Sequence, residues 1–496
     1  MKSIPLFLLS LLFVGVSYAQ VGIGTINPDA SAALDIRSNS QGLLAPRMTS
    51  AERTAIASPA ESLLVFDTDE RAFYYYDTTT TTWIRLNASS ETRTNYKLIK
   101  SDADLAAELS AGGGSKYLLD ENTYYEINGT INLARPIDLN NAYIAGEDVN
   151  EDILEAQGTG TVFEGDTGGS IRNLTLKGAK AFNITGTIPT GPPGLTANSA
   201  LIVQNTIIAG MNTSVGQVSN LGMYFANIVQ FMDNTDGITY SNIGNLLLNN
   251  QGWQAGNNGT YETFTGEFGL IEKVSGFSTV DGSAVAIDVS ADPKVRAGVV
   301  LGTVFSGSTT ASSGYINGYT TDSYPGYNFN NSWTVNAPGI PRESDDVATG
   351  DINFSAPLGI GVTTSFGGNG AQPPRKITGS TTSNNLFRFE RDGNNKIRYK
   401  GNKKRYFGVN ASISFRADIS QTTTYVLYIA KGEGAAEASE IVQTKVYGRA
   451  FDNQEIIALP IIGTIELKTD DYIEVWAERF SGNGDMLTVS LNLTIR

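Results

Sequence analysis

The chain contains neither cysteine nor histidine. Thiol and imidazole nucleophiles, Ser-His-Asp relays, disulfides and Cys/His zinc sites are therefore excluded. Acid–base chemistry falls to carboxylates, assisted by Lys, Tyr, Ser and Thr. Glycoside hydrolysis needs two carboxylates roughly 5 to 9.5 Å apart. Two local pairs suit it: Asp233 and Asp236 in Phe231-Met232-Asp233-Asn234-Thr235-Asp236-Gly237, and Glu164 and Asp166 in Phe163-Glu164-Gly165-Asp166. Asp, Asn and Gly are also ordinary turn residues, which is the competing reading of both pairs. Lyase chemistry on a uronate would need a basic patch, and no Lys/Arg cluster falls between residues 100 and 305. The reading is a non-enzyme, with these four carboxylates as the candidates should a glycan be cleaved.

Binding chemistry is carried by other residues. Between Ser306 and Lys376 aromatics alternate with small polar residues: Tyr315, Tyr319, Tyr324, Tyr327, Phe329 and Trp333. An exposed ring can stack on the C–H face of a sugar. The competing reading packs these rings between domains or subunits. A metal would have to be a hard cation on oxygen ligands. The oxygen-rich loops Glu343-Ser344-Asp345-Asp346 and Asp392-Gly393-Asn394-Asn395 could take calcium, but neither has the spacing of an EF-hand. The expectation is no cofactor. Lys396 to Arg405 holds six basic residues in ten. It reads as a solvated edge strand whose charges discourage pairing, or as a contact for an anionic glycan or a neighbouring subunit.

These residues need a scaffold, and its texture is all-β. The chain has 53 Gly among 496 residues but only 17% charged residues, which argues against a helical bundle. Lys2, an apolar run from Ile4 to Val16 and Ser17-Tyr18-Ala19 read as an export signal cleaved before Gln20. The run is shorter than the roughly 18 residues of a membrane span. The formal charge of −15 becomes −16 without Lys2, and such an acidic chain repels nucleic acid.

The next segment predicts a short helix over Thr49 to Ile56, capped by Thr49 or Ser50 with Glu52 in its first turn. Strands follow at 62–66, 72–76 and 83–86. A second short helix fits Ser101 to Leu109, with Asp102, Asp104 and Glu108 outside and Gly112-Gly113-Gly114 ending it. From Tyr117 to Phe305 short apolar strands recur between Gly, Asn, Asp and Thr. This texture reads as a parallel β-helix with Asn and Gly at its corners, with an irregular β-sandwich as the alternative. Beyond residue 376, Phe407 to Phe415 and Leu487 to Ile495 alternate apolar and polar residues, as half-buried antiparallel strands do.

Three segments resemble known groups. Val21-Gly22-Ile23-Gly24-Thr25-x-Asn27-Pro28, Ala33-Leu34-Asp35-Ile36, Gly42-Leu43-Leu44-x-Pro46-Arg47-Met48 and the aromatic hairpin from Leu64 to Trp83 resemble a module of secreted Bacteroidetes surface proteins and phage tail-fibre-like proteins. That resemblance implies a fibre or surface context and brings no catalytic residues. Ile171-x-Asn173-Leu174-x-Leu176-x-Gly178, echoed at Asn220 and Asn242, resembles coils of the pectate-lyase-like superfamily. Thr381-Thr382-Ser383-x-Asn385-Leu386-x-Arg388-Phe389, Ile397-x-Tyr399-x-Gly401, Tyr428-Ile429-Ala430-Lys431-Gly432 and Leu467 to Trp476 resemble the C-terminal jelly rolls of phage tail-fibre-like proteins, akin to the C1q and tumour-necrosis-factor shape. This implies a homotrimer around a threefold axis.

The expected organisation is a signal over 1–19, an attachment module over 20–90, a β-helix shaft over 100–305, a Gly/Ser/Thr-rich neck over 306–376 and a jelly roll over 377–496. The expected role is a trimeric, non-enzymatic fibre or adhesin, exported from a Gram-negative cell, whose C-terminal jelly-roll head meets a surface glycan or protein. A tailspike-like depolymerase and a phage-derived structural subunit are the alternatives.

Overall fold

A computed structural model describes residues 20–86, 95–187 and 199–496. The expected signal over 1–19 lies outside the described residues. The chain divides into two units, Met1–Arg93 and Thr94–Arg496.

In the first unit, Val21–Ile23 pairs in parallel with Leu34–Ile36. A second sheet runs Arg47–Met48, Leu64–Asp67, Ala72–Asp77, Thr82–Arg85 in spatial order. The predicted helix occupies Ser50–Thr54. Thr49 is its N-cap, and Glu52 closes a capping box with it. The helix delivers Arg53 onto the sheet. Its Nε lies 2.8 Å from the fully buried Asp67, and its guanidinium 3.9 Å from the Tyr74 ring centroid.

The second unit opens on Tyr96–Ile99, a 3₁₀ turn over Asp102–Leu105 and a helix over Ala106–Ala111. Glu108, placed outside from its spacing, is buried. It accepts from Lys97 Nζ at 2.5 Å and from the Tyr125 hydroxyl at 3.0 Å. That cation and that donor allow a carboxylate to be buried here.

From there the chain winds a parallel β-helix, with one strand of each coil on each of three faces. The first face carries Tyr125, Ile144, Ile171, Val203, Ala226 and Leu248 in register, all pointing inward and buried. Burying each such aliphatic side chain stabilises by about 1.5–3 kcal/mol. Their strand neighbours Ile202, Phe225 and Leu247 also align, face outward and remain half-exposed. At the corner that follows, Asn173, Asn205, Ile228, Asn250, Ser275 and Gly302 occupy the same place in successive coils, all with φ between 49° and 67°. Asn and Gly adopt this left-handed backbone at little cost, which explains the Asn-rich corners of the sequence.

The expected neck over 306–376 is not a separate element. Its first part finishes the β-helix: Ile316–Asn317 and Trp333–Asn336 pair in parallel with the coil before. Its last part belongs to the antiparallel body: Gly350–Ser355 and Val362–Thr364 pair with Asp485–Ile495, and Gln372–Lys376 with Asp471–Ser481. Low charge and abundant Gly look alike in a linker and in short edge strands.

The C-terminal body is a two-layer antiparallel sandwich of a five-stranded and a seven-stranded sheet around one apolar core. Phe407, Val409, Ala411, Ile413 and Phe415 point into that core, as their alternation requires. The last strand departs from its pattern. Ser414 faces Ser490 but Phe415 faces Thr488, so Val489 is a bulge. Beyond it the alternation inverts: Thr488 is buried and Leu487 is half-exposed. The stretches 456–462 and 463–467 form one strand, Ile457–Leu467, with Gly463 paired to Val409 inside it. The basic stretch 396–405 is not an edge. Ile397–Tyr399 lies between Phe389–Arg391 and Asp471–Ser481, and Lys396, Arg398 and Lys400 pair with Asp392, Glu390 and Asp470.

Candidate functional site

The first carboxylate pair sits at a β-helix corner. Asp233 has φ +53°, and the same position one coil earlier is Gly210 at φ +65°. Asp236 accepts from the amides of Gly237 at 3.0 Å and Thr260 at 2.8 Å, tying one coil to the next. Asn234, between them, is buried and hydrogen-bonds to Asn257 in an internal amide ladder. These residues shape the turn. The second pair faces a cation. Lys116 donates to Asp138 at 2.6 Å; that bond first, then the charges of Asp166 and Glu164, raise its ammonium.

Of the aromatic candidates, Trp333 and Tyr319 are buried, and Tyr315, Tyr324 and Tyr327 are half-buried. Trp333 is buried beneath the last coils, and its Nε1 donates to the Tyr319 hydroxyl at 3.0 Å. Tyr319 is buried too and donates to Pro293 O at 2.8 Å. Neither offers a ring face to a sugar. Tyr315 packs beside Phe305 and donates to Gly307 O at 2.9 Å. Tyr324 and Tyr327 pack on Phe387 of the sandwich, with centroids 5.3 and 3.9 Å away. They help fasten the β-helix to the sandwich. The same junction holds the buried Arg388, which donates to Trp333 O at 2.6 Å and Asn331 Oδ1 at 3.0 Å.

The two calcium candidate loops are engaged elsewhere. Burial raises the Glu343 carboxyl, which accepts from the amides of Asn328 and Phe329, each at 2.8 Å. Asp345 accepts from the amides of Asn402 and Lys403 at 2.8 and 2.7 Å. Arg398 and Lys396 hold Asp392 below the ordinary carboxylate range. Among the described residues no group of three acidic side chains could hold a metal ion.

The third face carries a different arrangement. Glu164, Asn183, Gln217, Thr239, Thr263, Asp288 and Asn317 stack in register and point outward. Asn183 Nδ2 donates to Glu164 at 2.9 Å, Gln217 Nε2 to Asn183 Oδ1 at 2.8 Å, and Asn317 Nδ2 to Asp288 at 3.1 Å. Beside this column Ser219 Oγ lies 3.1 Å from Thr185 Oγ1. The strand spacing of about 4.8 Å makes it a regular polar track along the shaft. A primary amide has two N–H donors, and each ladder bond uses one. The track therefore presents donors and acceptors at a fixed interval, as recognition of an extended hydroxylated chain requires.

The column is hidden in the sequence because its stride varies. Its hydrogen-bonded partners lie 19 residues apart at Glu164–Asn183 and 34 at Asn183–Gln217. Its lower end leads toward a groove of about 400 Å³ lined by Glu267, Asp292, Lys294, Arg296, Tyr319 and Asp322. Glu267 and Lys294 pair there at 3.1 Å. The Thr320 hydroxyl is the main cause that lowers the Asp292 carboxyl. Among the described residues, the two carboxyls raised by burial, Glu262 and Glu343, lie inside the protein.

Residues 22–97 match the family model described as phage tail like trimerisation region. No curated protein sequence matches the chain. Among solved structures, murine APRIL aligns at 12% identity over 30% of this chain and 98% of its own, with a TM-score of 0.20. The enzymatically active domain of tailspike protein 4 from bacteriophage CBA120 aligns at 9% identity over 91% and 77%, with a TM-score of 0.18. A tailspike protein of the Acinetobacter baumannii bacteriophage Fri1, a capsular polysaccharide depolymerase, aligns at 10% identity over 90% and 100%, with a TM-score of 0.20. At such scores these likenesses carry no weight for activity. The family match covers the N-terminal segment alone, and it is a match to a trimerisation region of phage-tail type.

Proposed function

We propose that this chain is the subunit of a homotrimeric, non-enzymatic fibre that works outside a Gram-negative cell and binds a surface polysaccharide along its shaft. One observation carries the reading: a continuous parallel stack from Tyr96–Ile99 to Trp333–Asn336, joined to an antiparallel head, in a chain whose residues 22–97 match a trimerisation region. Three copies would multiply weak contacts into avidity. The outward column Ile202, Phe225, Leu247 is the packing face for the neighbouring copies, and the amide and hydroxyl track on the third face is left for glycan.

Light scattering on residues 20–496 tests assembly. A trimer is expected, and a monomer overturns the reading. Binding to capsular polysaccharide tests the track. Q217A is expected to weaken binding several-fold, because one truncated hydrogen bond costs about 1 kcal/mol. Release of new reducing ends in the same mixture would overturn the non-enzymatic reading and return attention to carboxylates such as Asp288 and Glu164. Material outside the cells should begin at Gln20.

A further inference from the structure

From Ile144 to Leu248 the inward column of the first face is apolar; the next coil places Lys273 there and the one after it Val300. Lys273 is 2% exposed and Glu262 is fully buried, in the inward column of the third face between Ile238 and Ile287. Lys273 Nζ lies 3.0 Å from Glu262 Oε1 and 3.4 Å from Gln251 Oε1. The Gln251 carbonyl also accepts from the Tyr261 hydroxyl at 3.1 Å. The Tyr261 ring stacks on Trp253 at 4.4 Å and lies 4.8 Å from the Lys273 ammonium, walling the cluster with aromatic surface. Three buried atoms of this cluster have no hydrogen-bond partner: Gln251 Nε2, Trp253 Nε1 and Glu262 Oε2.

A buried ion pair with unsatisfied members is costly, because attraction between the charges seldom repays their desolvation. The same burial raises the Glu262 carboxyl and favours its neutral form. With a proton passed to Glu262, the Lys273 nitrogen would face the Gln251 amide, whose carbonyl oxygen the Tyr261 hydroxyl already holds, in a site closed to competing water. We propose that Lys273 and Gln251 become joined by an intramolecular isopeptide bond, with Glu262 as the proton carrier.

The step balances without any co-reactant. Lys273 Nζ passes one proton to Glu262 and attacks Gln251 Cδ, and the carbonyl electrons move onto Oε1, held by the Tyr261 O–H. Nζ then gives up a second proton, Cδ–Nε2 breaks, and Nε2 leaves with that proton as ammonia. An amide, ammonia and a neutral Glu262 remain, so both buried charges are gone. The product is a covalent rung between two coils, closing a loop between residues 22 apart.

Trypsin digestion of the denatured full chain reads the bond directly. Between Lys180 and Lys294 the sole cleavage site is Lys273. A cross-linked lysine is not cut, so one peptide from Ala181 to Lys294 is expected, lighter than its sequence by one ammonia. Measuring this peptide keeps the result clear of a cyclised N-terminal glutamine. Normal cleavage after Lys273 overturns the proposal. Loss of one water with a link to Glu262 overturns the assignment to Gln251. E262Q should restore cleavage at Lys273, whereas the outward-facing E272Q should keep the ammonia loss. An E262Q chain that still loses ammonia overturns the role of Glu262. The parent measurement stands whether or not either variant folds.

Discussion

At the scale of single residues, Asp67 shows how one charge organises the N-terminal unit. Burial by itself would raise its carboxyl, but the amides of Glu70 and Asp69, the Arg53 guanidinium and the Ser50 hydroxyl outweigh burial and hold it at about 2. A carboxyl depressed on folding contributes stability above its unfolded value, and that contribution is lost as pH falls through the folded value. The window here runs from 3.8 down to about 2. D67N should therefore speed amide hydrogen exchange over residues 47–86 at neutral pH. The difference from the parent chain should shrink as pH approaches about 2. A gap that persisted there would mean the carboxylate is not what orders these strands.

At the scale of elements, the β-helix corner after the first face is built for the left-handed backbone, and Ile228 and Ser275 are the residues in the series that are neither Asn nor Gly. Ile228 holds φ +56° with 47% of its surface exposed, while its counterparts one coil earlier and later are Asn205 and Asn250. A β-branched residue in this conformation is strained, by roughly 1–2 kcal/mol. Its exposure means that little packing would be lost on replacement. I228N should raise resistance to chemical denaturation by about 1 kcal/mol. An unchanged or lowered midpoint would mean the side chain contributes elsewhere, for instance against another copy of the chain.

At the scale of the whole molecule, the question is which face of the shaft meets another copy. Ile202, Phe225 and Leu247 form an apolar column on the first face, while the third face is polar along its length. F225D places a charge in the apolar column, and burying an unpaired charge at an interface costs several kcal/mol. Light scattering should then find dissociation toward monomer, with circular dichroism unchanged. A trimer that survived F225D would move the contact away from this face.

The sequence by itself determined what depends on local rules. Missing Cys and His closed off whole chemistries. The capping box at Thr49 and Glu52, the left-handed Asn173, Asn220 and Asn242, and the alternation from Phe407 to Phe415 are all set by short-range backbone geometry, and each lies where its residues imply. What the chain order could not reveal depends on which coil stacks on which. Coils of unequal length bring Glu164, Asn183 and Gln217 into one column, and a polar residue on an outward column looks like any loop residue until its neighbours are known. Trp333 and Tyr319 read as exposed because small polar residues flank them, yet the final coils and the junction with the sandwich close over both. A single bulge at Val489 reversed the pattern of its strand, since one extra residue turns every following side chain to the other face. Lys273 and Glu262 are ordinary strand residues in order of sequence. Only the closed cylinder of the β-helix turned both inward, where no water can solvate them and each must answer to the other.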